Sequence, residues 1–224
     1  MRGFGNNLSF MFLWILGWLW IIVAGLLFTS LGVMVSGTLA IALWVQEEQF
    51  LVRMDFLLLF ALLMAGLVGL LIGITLGIVQ KRILRRYTDD AWGGWVIASS
   101  IGGALGMVVL VLLMGRQLTT SILLLTVPSS VQLFWLGLQV SILPLSIVAI
   151  VQMFVLWRVV RGAWTWVLAN TTAGIVLFSL IAFSGVWRVA PLFSIPAVVF
   201  IACTPGIVTG FAMVWLLAFN RRHG

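Results

Sequence analysis

The sequence predicts an all-α integral membrane protein, with six transmembrane helices forming a pseudo-threefold repeat of helix pairs and both termini cytoplasmic. Three observations carry this prediction. The 224 residues are 63% hydrophobic and only 8% charged, far from the roughly 25% charged composition of soluble domains. Apolar runs long enough to cross a hydrocarbon core of about 30 Å recur along the chain. Two stretches, Val79–Gly103 and Val151–Gly174, repeat the same residues at nearly constant spacing, the mark of a duplicated structural unit.

The expected spans are Leu8–Leu31, Phe56–Gln80, Trp92–Met114, Leu133–Trp157, Trp164–Ser184 and Ala197–Phe219. Met1–Asn7 is short and polar, and the run after it exceeds the ~7–15 apolar residues of a signal-peptide core, so the first span is expected to be retained. Connections at one end are short and basic. Those at the other stay apolar over 33–45, 119–127 and 185–194, too short to span and too greasy for free loops. They are expected to extend the odd helices or to lie in the interface, where Trp44 and Trp187 suit the headgroup layer. The chain then forms one polytopic domain, 1–224, with repeat units near 8–80, 92–157 and 164–219.

Basic residues orient the spans, because cytoplasmic ends carry the excess of Lys and Arg. Arg2, Lys81, Arg82, Arg85, Arg86, Arg158, Arg161, Arg221 and Arg222 fall on one side, and Arg53, Arg116 and Arg188 on the other. The net charge of +7 therefore reads as an orientation signal rather than a nucleic-acid surface.

The repeat is specific in its residues. Gln80 matches Gln152, Arg86 matches Arg158, and Ala91-Trp92 matches Ala163-Trp164, all 72 residues apart. After a slip of one, Val96, Ala98 and Gly103 match Val167, Ala169 and Gly174. Gly69, Gly73 and Gly77 align with Ser141, Leu145 and Ala149, and after a further 61 residues with Ala202, Gly206 and Gly210; Pro144 and Pro205 share that offset. With Gly102, Gly106, Ala169 and Ala173 on the odd helices, these positions form small-residue stripes that let helix backbones approach closely in lipid. The prolines are expected to kink their helices.

The string from Gly77 through Gln80, Leu84, Arg85 and Arg86 to Trp92, Ala98 and Gly102 resembles a family of uncharacterised bacterial multi-spanning membrane proteins. A Gly-x-x-Gln helix end, an Arg-Arg turn and a Trp-x-x-Ala helix start recur in that family. The similarity covers mainly residues 70–106 and 146–175, and this chain has Lys81 and Met153 where the family carries an aromatic. The resemblance implies the architecture and a bacterial inner (cytoplasmic) membrane. It implies no active residue.

Chemistry-bearing groups are sparse. Glu47, Glu48, Asp55, Asp89 and Asp90 all fall near span ends, so no ionisable pathway through the bilayer is visible; Asp90 suits a helix cap before Trp92. A single cysteine, Cys203, and a single histidine, His223, exclude an intrachain disulfide and leave no thiolate or imidazole cluster for a metal. The candidate polar site is Gln80, Gln152, Asn170, Thr171 and Thr172, read first as interhelical bonding and second as a solute or headgroup site. No nucleophile with a general base is present, so an enzyme is not expected. The preferred expectation is a non-catalytic structural or accessory subunit of a larger membrane assembly. Its partners are then membrane lipids and other membrane protein subunits, with no nucleic acid. No cofactor is evident, although 12 tryptophans and 15 phenylalanines suit bound lipid or pigment. The alternative is a transporter or channel for a small neutral or amphiphilic solute, with paired broken helices at Pro144 and Pro205.

Overall fold

The computed structural model describes residues 4–44, 50–87, 92–123, 130–183 and 195–221. They form six helices: α1 Phe4–Trp44, α2 Phe50–Tyr87, α3 Trp95–Leu123, α4 Ser130–Leu156, α5 Trp164–Phe183 and α6 Ile195–Arg221. In lipid a backbone must satisfy its own hydrogen bonds, and a helix does so within one segment. Four of the helices, α1 to α4, are long and apolar enough to cross a membrane, while α5 and α6 contribute the shorter apolar stretches Trp164–Leu180 and Cys203–Ala218. This is the architecture of an integral membrane protein.

The apolar outer segments resolve in part. α1 continues unbroken through Trp44 and α3 through Leu123, so the runs beginning at Val33 and Thr119 lengthen the odd helices as far as they are described. Residues 124–127 and 185–194 lie outside the described residues, as do Glu47, Glu48, Asp89, Asp90 and His223. α4 and α6 both run through their prolines, Pro144 and Pro205, without a break in helical assignment.

The helices pack in chain order, α1 on α2, α2 on α3, and so on to α5 on α6, and α6 returns to α1 to close a ring. Small residues set the antiparallel register. Gly69, Gly73 and Gly77 on α2 face Gly103, Ser99 and Val96 on α3. Gly102 and Gly106 on α3 face Val148 and Pro144 on α4, and Gly174 on α5 faces Ser141 on α4. Gly17 and Gly25 on α1 meet Val79 and Ile72 on α2, while Gly206 and Gly210 on α6 seat Trp18 and Trp14 of α1. The starts of odd helices therefore share one end with the ends of even helices.

Polarity is inverted relative to a soluble bundle. Gln80, Ser99, Gln152, Asn170, Thr204 and Thr209 are buried, whereas Phe12, Trp20, Leu63, Ile97, Phe154 and Phe211 are exposed. Polar groups turn inward and large apolar groups outward, which is the arrangement a lipid solvent favours.

The tightest seam is α2 against α3. A Cβ built at Gly73 would land on the backbone carbonyl of Ser99, and one at Gly69 on that of Gly103. Backbone cannot yield as a flexible side chain can, so Gly73→Ala is expected to cost about 1–3 kcal/mol through overpacking. Gly25→Ala, whose new carbon would sit 3.8 Å from Ile72 Cδ1, should change stability by less than about 0.5 kcal/mol. Thermal unfolding of the purified variants in detergent checks the difference; equal midpoints would show that the seam relaxes freely.

Candidate functional site

Trp95 opens α3 and Trp166 lies in the first turn of α5, both fully buried. An indole N–H is a donor with no acceptor function, so each needs an oxygen delivered by a neighbour. Trp95 Nε1 donates to Gln80 Oε1 at 3.0 Å, and Trp166 Nε1 donates to Gln152 Oε1 at 2.9 Å. These two bonds fix which way each amide points. The Gln152 Nε2 group, turned away from its indole, then donates to Gln80 Oε1 at 3.1 Å and to Ser99 Oγ at 2.8 Å. Ser99 spends its one proton on the Trp95 carbonyl, at 2.8 Å, so it must accept from the amide. Four of these five bonds tie α2, α3, α4 and α5 together, and the fifth, from Ser99 to the Trp95 carbonyl, lies within α3.

On the far side of the ring, Trp14 of α1 donates its indole N–H to Thr209 Oγ1 of α6 at 3.1 Å, and Thr209 donates to the Pro205 carbonyl at 2.6 Å. Trp14, Trp95 and Trp166 sit on helices that are not ring neighbours, yet their rings meet. The Trp14 and Trp166 centroids lie 6.1 Å apart at 81°, and those of Trp95 and Trp166 lie 6.1 Å apart at 56°. Phe10 stacks on Trp14 at 5.4 Å, and Trp92 meets Trp95 edge-on at 5.4 Å. A continuous run of five aromatic rings thus crosses the ring interior at this level. Edge and tilted contacts of this kind add about 0.5–1.5 kcal/mol per pair beyond burial.

The candidate polar residues divide. Gln80 and Gln152 come together, and Asn170 joins the same interior by donating to the Trp166 carbonyl at 2.9 Å. Thr171 faces α4: it donates to the Val167 carbonyl and receives the Ser146 hydroxyl at 2.9 Å. Thr172, one residue on, is exposed. Helical rotation of 100° per residue separates three polar neighbours that the sequence presents as one cluster. Pro144 lies against Gly106, and Pro205 is buried beside the Thr209 bond. Gly69, Gly73, Gly77, Gly102, Gly106, Gly206 and Gly210 are in helix contacts, and Ala173 is buried while Ala169 is half-buried. The side chain of Ala202 lies outside the described residues.

Sequence reasoning singled out the glutamines but not the indoles that donate to them, Trp95 and Trp166, nor Ser99 as an acceptor, nor the pair of Trp14 with Thr209. A signal existed for two of them: Trp95 and Trp166 immediately precede the matched Val96 and Val167. Nothing in the sequence marks Trp14 with Thr209, 195 residues apart.

Among the described residues, no three of His, Cys, Asp and Glu come together. Among their buried side-chain nitrogens and oxygens, Trp18 Nε1 stands without a partner; a buried donor in that state costs about 1–3 kcal/mol. The indole carrying it packs on Gly206, whose built Cβ would fall 3.1 Å from Trp18 Cδ1. No protein family, curated protein or solved structure matches the chain.

Two measurements test the network. Gln152→Leu orphans Trp166 Nε1 and removes a donor from Gln80 and Ser99, so it should destabilise the purified protein by about 1–3 kcal/mol, whereas Thr172→Val should be nearly silent. Thr209→Val should cost less in a Trp14→Phe background than alone, with a coupling of about 0.6–1.7 kcal/mol, the range of interhelical hydrogen bonds in membranes. Additive effects would show that Trp14 and Thr209 do not depend on each other.

Proposed function

We propose that this protein is a non-catalytic scaffold of a bacterial cytoplasmic membrane, a structural or accessory subunit that packs into a larger membrane assembly. The observation that carries this reading is the self-contained interior. The described polar groups inside the ring bond mainly to one another, three indoles meet across its axis, and among the described residues no buried polar side chain is ionisable. A catalytic site needs groups aimed at a substrate, and a conducting path needs polar groups aimed at a lumen. Here the amides and hydroxyls are spent on holding helices. The outer face, with Phe12, Trp20, Phe154, Phe211 and Trp215 exposed, is the surface offered to lipid, hydrophobic cofactor or neighbouring subunits.

The architecture proposed with it is six spans, built as three helix pairs with both termini cytoplasmic. The nine basic residues against three support the orientation. The repeat draws support from the indole bonds. α2–α3 pairs Gln80 with Trp95, and α4–α5 pairs Gln152 with Trp166. These seams join one repeat unit to the next, and at the third of them, α6–α1, Met213, 61 residues after Gln152, has no amide to offer, so Trp14 takes Thr209, one helical turn earlier.

In a Cys203→Ala background, Glu47→Cys, Gln117→Cys and Arg188→Cys should react with an impermeant thiol reagent in intact cells, and Tyr87→Cys should not. The opposite pattern would invert the proposed topology. For function, wild-type protein in vesicles should take up no member of a panel of small neutral and amphiphilic solutes. Purification from native membrane should instead bring down companion subunits. Uptake that Asn170→Ala, Thr171→Val and Pro144→Ala abolish at unchanged thermal stability would replace the scaffold by a transporter.

A further inference from the structure

Trp18 lies one helical turn after Trp14 on α1, and it repeats the seat of Trp14 without the partner. In each case Cδ1 of the indole sits 3.1 Å from the Cβ built at a glycine of α6, Gly210 for Trp14 and Gly206 for Trp18. Trp14 there donates to Thr209 Oγ1, whereas the residue four places before Thr209 is Pro205, which has neither a hydroxyl nor an N–H. Thr204 beside it is buried as well and leaves the Trp18 N–H unmet. Trp18 is only 5% exposed, so its donor is turned into the bundle rather than toward the outside.

Two further polar groups stand at this level. Trp14, Trp95 and Trp166 meet in one layer, and four residues after them come Trp18, Ser99 and Asn170. Ser99 accepts from Gln152. Gly17 of α1 meets Val79 of α2, which brings the next residues, Trp18 and Gln80, to nearly one height. Gln80 receives both of its bonds at Oε1, from Trp95 and from Gln152, so its Nε2 is turned away from α3 and α4. Donor meets donor at this seam. Asn170 has the opposite surplus, because its Nδ2 is spent on the Trp166 carbonyl and its Oδ1 is left to accept. The Trp14 and Trp166 rings meet across the axis at 6.1 Å, and α1 and α5 run in the same direction, so Trp18 and Asn170 follow one turn further on.

We propose that Trp18, Gln80 and Asn170 form a binding site inside the ring for one neutral hydroxyl oxygen, with water as its occupant. Such an oxygen accepts from two donors and donates to one acceptor, so it meets the Trp18 N–H, the Gln80 amide and Asn170 Oδ1 together. A carbonyl could serve only the two donors, and an ammonium only the acceptor. Buried waters typically make about three hydrogen bonds to polar groups that the protein itself leaves unpaired. None of the three residues is ionisable, so a charged occupant would be held without a counter-charge. Trp18 does not reach Asn170 directly, and the hydroxyl supplies the link. The site rests on the closed ring of helices and holds whether the bundle is a scaffold or a transporter.

Solution NMR of the full chain, isotope-labelled at the tryptophan indoles and held in deuterated detergent, tests the site through magnetisation transfer from water to each indole proton. The Trp18 signal, identified by its loss in Trp18→Phe, should show a water cross-peak, whereas that of Trp166, bonded directly to Gln152, should show none. Asn170→Leu should abolish the Trp18 cross-peak, and Thr209→Val should leave it, which excludes relay through that hydroxyl. The loss of thermal midpoint in Trp18→Phe/Asn170→Leu should be smaller than the sum of the single losses, since either change removes the same bridge. A cross-peak to the carbon-bound protons of an alcohol would keep the site and give its hydroxyl a different source. Absence of both cross-peaks in wild type would overturn the site, as would a Trp18 cross-peak that survives Asn170→Leu, or additive losses. The wild-type spectrum decides the matter even where a variant fails to fold. It has no bearing on companion subunits, so the site can fail while the scaffold stands.

Discussion

A buried indole that can only donate, placed where there is no water to accept, is the constraint from which the rest of the interior follows. In a soluble protein an unpaired Trp N–H can often find solvent. Inside a membrane bundle it draws on an oxygen from another helix, and leaving it without one, as Trp18 Nε1 is left, costs about as much as several ordinary interhelical contacts gain. Trp95 and Trp166 meet that need with Gln80 and Gln152, and doing so orients both amides and commits Ser99. Trp14 meets it with Thr209 and so draws α6 onto α1, the seam that closes the ring.

That network could not form if the helices stood at ordinary separations. The stripe Gly69, Gly73 and Gly77 brings α2 so near to α3 that each glycine comes against the α3 backbone. In lipid there is no hydrophobic effect to press helices together, and close van der Waals approach supplies the attraction instead. Small residues and large ones therefore act jointly. The glycines shorten the distance between neighbours, and the tryptophans, the largest side chains, reach across the middle to helices that are not neighbours.

The two basic turns show how one pattern can serve different ends. After α2, Trp92 turns inward and extends the aromatic run. After α4, the aligned Trp164 remains outside with Trp157, although the chain around it is tightly bonded. A tryptophan at a membrane boundary is stable in either setting, since its ring accepts an apolar environment and its N–H accepts a polar one. Neighbouring side chains decide between them.

Composition and periodicity alone determined that the chain is helical and suited to a membrane, since hydrocarbon admits few other backbones and the apolar runs have spanning length. The sequence also marked Gln80 and Gln152 as a related pair and the glycine stripes as packing faces, because both recur at fixed spacing. Tertiary structure decided what those residues touch. That Gln80 and Gln152 bond each other as well as their indoles, that Asn170 faces inward while Thr172 faces outward, and that Trp14 finds Thr209 across 195 residues depend on helix rotation and ring closure. The apolar segments past Leu31 and Met114 were likewise open between lengthened helix and interfacial segment, and α1 and α3 carry them as helix to Trp44 and Leu123. Hydropathy reports only that a residue prefers lipid or interior to water, and both of those environments are apolar here. Which one a side chain meets is fixed by the neighbour it packs against.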